Sequence, residues 1–147
     1  MQRREATTER VSGQTSGSAQ RPAHQIDAVV TDVDLNAAVD ALRLEPAWLQ
    51  GDRNARTFFK ESDLRVILTV MKAGAVLREH RVPGAATVQM LSGRIGVGLA
   101  GQVLELTAGR LLILEPNVTH NVEAREDSAF LITIAWEGGL RGDAGRA

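Results

Sequence analysis

The stretch that decides the fold runs from Gly74 to His120 and holds two histidine-bearing segments. The first reads G-A-V-L-R-E-H from Gly74 to His80, and from Pro83 the chain continues as P-G-A-A-T-V-Q-M-L-S-G-R-I. The second reads A-G-R-L-L-I-L-E-P-N-V-T-H and ends at His120. Glycines stand six residues before His80 and eleven residues before His120. The pattern predicts short strands joined by tight turns, with one histidine on each of two strands.

The same alternation of short apolar runs and turn residues extends over both flanks of this stretch. From Thr57 onward, Val-, Ile- and Leu-rich runs alternate with Gly, Pro, Asn, Asp and Ser turns. About eight short strands at this spacing favour a sandwich or barrel over a parallel α/β sheet. The run from Phe130 to Trp136 is apolar at both parities, so we expect this strand to be covered on both faces.

A short amphipathic helix is predicted on the N-terminal side of the strands. Apolar residues at i, i+3, i+4 and i+7 begin at Leu35, and Asp32 or Asp34 can cap the helix start. Pro46 is expected to stop it. We therefore divide the chain into a disordered tail (1–25), a helical segment (26–54), a β-barrel (55–136) and a flexible C-terminal tail (137–147).

Composition excludes several classes of function. The chain has 147 residues and a net charge of −1, so nucleic-acid binding has no electrostatic support. It has no cysteine, which excludes disulfides and thiolate metal sites. No apolar run approaches the roughly 20 residues that span a bilayer, and no secretory signal follows the N-terminus. We expect a cytoplasmic protein without membrane association.

These motifs resemble the two-motif signature of the cupin family over about residues 55–136. The first cupin motif has a second His and a Glu where this chain has Val82 and Ala86; Gly93 matches its final glycine. In the second motif, Glu115, Asn117 and Ala124 replace family residues. The resemblance implies an all-β double-stranded β-helix, or jelly-roll barrel, with the N-terminal helix packed outside. It also implies a homodimer, which would cover exposed strand edges.

Alternation along the strands predicts which side chains enter the barrel. Residues two apart on a strand share a face, so the motif geometry directs both histidines and their same-face neighbours inward. The predicted ligand pocket is lined by His80, Val82, Ala86, Val88, Met90, His120 and Val122. Burial among apolar groups disfavours charged imidazole, so we expect these histidines to titrate below their ordinary pKa.

Two histidines without a carboxylate predict a weak metal site. Non-haem iron sites add a carboxylate to two His, and catalytic zinc sites use three protein ligands. We therefore expect no cofactor; the alternative is a divalent Fe, Mn, Ni or Zn ion held by His80 and His120.

Three functions follow, and the sequence leaves catalysis undecided. The leading hypothesis is a single-domain cupin that binds or senses a small organic ligand. The second is a metal-dependent enzyme of the dioxygenase or isomerase type, and the third is a scaffold for protein contacts. Gly96 and Gly98 lie on the face opposite Ile95 and Val97; they predict the close approach of another backbone, either a dimer partner or an internal bend.

Overall fold

The computed structural model describes residues 30–136 in full, together with the backbone of two short strands nearer the N-terminus. These are β1 (Ala6–Thr7) and β2 (Gln25–Ile26), which pair antiparallel with Ala6 opposite Ile26. The rest of the predicted tails, 1–25 and 137–147, lies outside the described residues.

The helical segment contains two short helices, and Pro46 lies between the end of the first and the body of the second. Helix α1 (Leu35–Leu42) is capped at its N-terminus by Asp34, whose carboxylate accepts the Ala37 N–H at 3.0 Å. Helix α1 ends at Leu42, and Pro46 is the first residue of helix α2 (Pro46–Leu49). The first helix ends before Pro46, as predicted, but the sequence analysis did not predict the second helix that Pro46 begins. Proline lacks an N–H and has a fixed φ, and both suit the first helical turn, where no N–H partner is available.

A buried asparagine ties this helical segment to the first long strand. Asn54 is fully buried, and its Nδ2 donates to the Leu42 carbonyl at 3.0 Å and to Glu45 Oε1 at 2.8 Å. The side-chain oxygen of Asn54 accepts the Ala55 N–H at 2.9 Å. The end of α1 is thus held against the sheet by polar bonds as well as by apolar contact.

Nine strands form two antiparallel sheets, and the first of them begins at Arg53, slightly before the predicted barrel start. The strands are β3 (Arg53–Lys60), β4 (Leu64–Met71), β5 (Val76–His80), β6 (Ala85–Ser92), β7 (Arg94–Leu99), β8 (Gln102–Thr107), β9 (Leu111–Leu114), β10 (His120–Ala124) and β11 (Ser128–Ala135). One sheet has five strands in the order β3-β4-β11-β6-β9, and the other has four in the order β5-β10-β7-β8. The architecture is a sandwich, as the strand pattern predicts, and a jelly roll, as the resemblance implies.

Apolar residues pack in two layers on either side of the five-stranded sheet. Phe130 on β11 faces the inner core between the sheets, with Met90 and Ile95. Ala129, its neighbour on β11, faces outward and packs with Leu42 and Trp48 of the helical segment. β11 is therefore covered on both faces, as its apolar sequence predicts. Within residues 30–136, no helix is long and apolar enough to cross a lipid bilayer.

Gly96 and Gly98 make room for side chains of their own chain. A Cβ on Gly96 would overlap the guanidinium of Arg125, and a Cβ on Gly98 would overlap the amide of Asn121. Asn121 lies on β10, which pairs with β7, and Arg125 directly follows β10. The close approach predicted at these glycines exists, but the approaching atoms belong to side chains and not to another backbone.

Candidate functional site

The sandwich is tightly packed at one end and more open at the other. Met71, Ile95 and Met90, which lie in the inner core far from the histidines, are at most 1% exposed. Toward the histidine end, the inward apolar residues that pack against this core are only partly buried. They are Leu77, Leu99, Leu112 and Ile132. This gradient of burial defines the histidine end as the accessible mouth of the barrel.

A β-bulge brings His80 to face His120 at this mouth. On β10, His120 and Val122 are two residues apart, but their partners on β5 are His80 and Leu77, which are three residues apart. The extra residue on β5 shifts the alternation, so that Leu77 and His80 share the inner face despite their odd spacing. The ring centroids of His80 and His120 are 4.3 Å apart, with an angle of 59° between the planes. The two predicted histidines therefore meet.

Each imidazole is held by a backbone carbonyl two residues earlier. His80 Nδ1 lies 2.7 Å from the Arg78 oxygen, and His120 Nδ1 lies 2.9 Å from the Val118 oxygen. Because a carbonyl can only accept, we assign the proton to Nδ1 in both rings from this hydrogen-bond network. In the neutral imidazoles, Nε2 is then the atom left with a free lone pair.

The two histidines have unequal surroundings. His120 is 8% exposed, whereas His80 is an exposed residue. Burial lowers the pKa of His120 below its ordinary value, and the nearby His80 adds to the lowering; the hydrogen bond to the Val118 carbonyl opposes both. The predicted burial among apolar groups thus applies to His120 and not to His80.

The other predicted lining residues lie in three places: the inner core, strand β6 and the loop after β5. Val88, Met90 and Val122 belong to the packed inner core. Ala86 is buried on β6, in register with Leu114 on one side and Ile134 on the other.

Val82 lies beyond the end of β5, half-buried in the loop, and its carbonyl accepts the Asn117 N–H at 2.8 Å. Strand alternation therefore does not fix its direction. This bond joins the loops that follow β5 and β9, next to the histidine pair.

The donor set does not complete a metal centre of the usual kinds. Among residues 30–136, no group of three or more His, Asp, Glu or Cys side chains could hold a metal ion together. Two imidazole nitrogens fall short of the three protein ligands of a catalytic zinc site, and the carboxylate of a two-His iron site has no counterpart here.

The partly buried rim of the mouth was not part of the predicted pocket. Leu112 is in register with Val88, and Ile132 is in register with Val88 from the other side, so strand pairing would have identified both. Leu77 could not have been found by alternation from His80, because the bulge reverses the parity between them.

A groove lies on the outer face of the five-stranded sheet, away from the histidines. It has a volume of about 440 Å³ and lies between residues 30–34 and helix α1, with Phe58 at its base. Its walls are mainly Val and Ala side chains with Asp32, Asp34 and Arg56, and it contains neither histidine. The histidine mouth therefore remains the candidate site.

Comparisons with known proteins establish the fold. The cupin domain of Cnp3 from Schizosaccharomyces pombe superposes with a TM-score of 0.63 at 13% identity, covering 99% of this chain and 95% of that one. An uncharacterized conserved protein with a double-stranded β-helix domain from Klebsiella pneumoniae superposes with a TM-score of 0.60 at 20% identity. The match covers 75% of this chain and 91% of that one. An RmlC-like cupin from Desulfovibrio desulfuricans superposes with a TM-score of 0.53 at 23% identity. The match covers 57% of this chain and 82% of that one.

No protein-family model and no curated protein matches the sequence. The fold is that of a single-domain cupin, which confirms the resemblance found in the two histidine motifs. At these identities the similarity extends to the fold and not to a ligand or a reaction.

Proposed function

We propose that this single-domain cupin binds a small organic ligand at the histidine mouth without a metal ion, as a binding or sensing module. The observation that carries the proposal is the contact between His80 and His120, with ring centroids 4.3 Å apart, at the accessible end of the barrel. Partly buried apolar side chains surround the pair and would contact the carbon skeleton of a ligand. The proposed setting is the cytoplasm, which the cysteine-free sequence supports.

The shortage of protein ligands supports a metal-free site. A pair of neutral imidazoles offers two hydrogen-bonding atoms, which suits recognition of an organic molecule. A ligand present at 100 times its dissociation constant should stabilise the protein by about 2.7 kcal/mol.

The experiment is a thermal-shift screen of a broad metabolite panel, with mass spectrometry of whatever co-purifies. Hits should be lost in His80→Ala and His120→Ala, while Val103→Ala, on the outer face of β8, should retain them. A complete absence of hits would favour the scaffold hypothesis.

One observation favours the alternative of a metal-dependent enzyme. Histidines that ligate metals commonly donate their other ring N–H to a backbone carbonyl, and both histidines do so here. Under this alternative, a further ligand must come from the substrate or from outside residues 30–136. Elemental analysis of the purified protein separates the two: stoichiometric Fe, Mn, Ni or Zn that disappears in His80→Ala and His120→Ala would replace the metal-free proposal.

We further propose that two copies pair through the edge of β9. Four edge strands border the sheets, namely β3, β9, β5 and β8, and among these described strands only β9 (L-L-I-L) lacks a charged residue. Leu111 and Ile113 are 56% and 65% exposed on its outer side. Uncharged, apolar strand edges favour pairing with another chain.

The oligomeric state tests this pairing directly. Light scattering should show a dimer that Ile113→Lys converts to a monomer, whereas Val103→Lys on the β8 edge should leave the dimer intact. A monomeric wild-type protein at micromolar concentration would contradict the proposal.

A further inference from the structure

The hydrogen bonds of the two imidazoles restrict the chemistry of the ligand. Both Nδ1 atoms are engaged with backbone carbonyls, at 2.7 Å for His80 and 2.9 Å for His120. Each neutral ring therefore presents Nε2 as an acceptor and not as a donor. The assignment depends only on the carbonyl being unable to donate.

No side chain in the described part of the protein satisfies these acceptors. Within residues 30–136, each imidazole makes its one hydrogen bond through Nδ1, and neither Nε2 has a hydrogen-bond partner. His120 as a whole is 8% exposed, but its Nε2 is not a buried atom without a partner, so this acceptor is open to solvent and to a ligand. An accessible acceptor beside apolar side chains favours a ligand that donates a hydrogen bond to it.

We propose that the ligand of this mouth is a compact molecule that donates two adjacent O–H or N–H groups, one to each Nε2 atom. This inference rests on the proposed function. The imidazoles are adjacent, with ring centroids 4.3 Å apart, so two donors on neighbouring atoms of one ligand can reach both rings. The rim residues Leu77, Leu99 and Leu112 would contact its apolar part.

The same geometry disfavours a carboxylate or phosphate. While both rings are neutral, such an anion would bring oxygen lone pairs against two nitrogen lone pairs, and its binding would require Nε2 to take up a proton. A vicinal diol, a catechol or an amidine has the required pair of donors. A dimethyl ether of the same diol has the same carbon skeleton without them.

The test compares three aromatic probes on the full-length protein at pH 7.5: catechol, 1,2-dimethoxybenzene and benzoate. Long-range ¹H–¹⁵N correlation spectra of the imidazoles report both the tautomer and the binding. We expect protonated Nδ1 and unprotonated Nε2 in both rings. We expect catechol to shift the Nε2 resonances and to bind at least tenfold more tightly than either other probe.

Variants at position 120 distinguish donor recognition from simple apolar binding. His120→Gln retains a polar acceptor and should keep the preference for catechol over 1,2-dimethoxybenzene. His120→Leu fills a similar volume without an acceptor and should abolish that preference. If His120→Leu is poorly folded, the spectra of the wild-type protein still decide, because tautomer and probe preference are read without any substitution.

The outcomes separate this inference from the proposed function. Protonated Nε2 in the free protein, benzoate binding as tightly as catechol, or no shift with catechol at millimolar concentration would each overturn the donor assignment. The proposed function fails separately, if the metabolite screen gives no ligand that depends on His80 and His120.

Discussion

Replacing Asn54 by alanine should strongly destabilise the protein without touching the histidine mouth. The substitution removes two bonds that link the helical segment to the sheet, one to the Leu42 carbonyl at the end of α1 at 3.0 Å and one to Glu45 Oε1 just before α2 at 2.8 Å. It also leaves the Leu42 carbonyl without its side-chain donor in the interior. Each hydrogen bond contributes about 0.5–1.5 kcal/mol, and leaving a buried group unsatisfied costs about 1–3 kcal/mol. The expected loss is about 2–4 kcal/mol.

Urea and thermal unfolding monitored by circular dichroism measure this loss. For a domain of this size, 1 kcal/mol shifts the melting temperature by about 4 °C, so Asn54→Ala should lower it by roughly 10 °C. Glu45→Gln is the matched control: it keeps an oxygen that can accept from Asn54 and should change stability by less than about 0.5 kcal/mol. A melting temperature within about 3 °C of wild type for Asn54→Ala would refute the reasoning that these polar bonds anchor the helix.

Three further predictions concern the site and the turns. Because the pKa of His120 is lowered in the folded protein, the unfolded chain takes up this proton at a higher pH. Stability should therefore fall as the pH decreases from about 6.5 to the folded pKa, whereas above about 6.5 this group should have no effect. His120→Gln should flatten the pH dependence of the urea midpoints. Ala86→Glu adds an inward carboxylate, so Mn²⁺ or Ni²⁺ should raise the melting temperature of this variant, whereas the outward-facing Thr87→Glu should show no metal response. Gly93 has φ +82° and a backbone carbonyl where a Cβ would lie, so Gly93→Ala should lower the free energy of unfolding by more than about 3 kcal/mol. Gly74 has φ +88° but open space around it, so Gly74→Ala should lower the free energy of unfolding by only about 1 kcal/mol in the same assay.

Alternation and turn residues were sufficient to predict most of the strands and their inner faces. The Val-, Ile- and Leu-rich runs predicted from Thr57 onward include the residues of β4 and β9, and the run apolar at both parities is β11, which is covered on both faces. These features depend on residues close together in sequence, because a strand with one buried face must repeat its apolar side chains every second position.

Features that depend on distant pairing could not be obtained in this way. The bulge on β5 arises from its register against β10, and neither strand shows it alone. Pro46 is compatible with both a helix end and a helix start, and only the contact of α2 with the sheet decides between them. The carbonyl bonds of the two histidines are local, but they require the loop conformation at Val118, which carries no residue-type signal.

The glycine at position 96 allows a group of charged side chains to pair on the outer face of the four-stranded sheet. Because it has no side chain, Arg125 can lie along the strand and reach Glu105 at 2.9 Å and Glu123 at 3.0 Å. A Cβ at this position would overlap the guanidinium, so Arg125 would have to move from the place where it makes these ion pairs. The absence of a side chain at position 96 thus permits the ion pairs between Arg125 and the two glutamates.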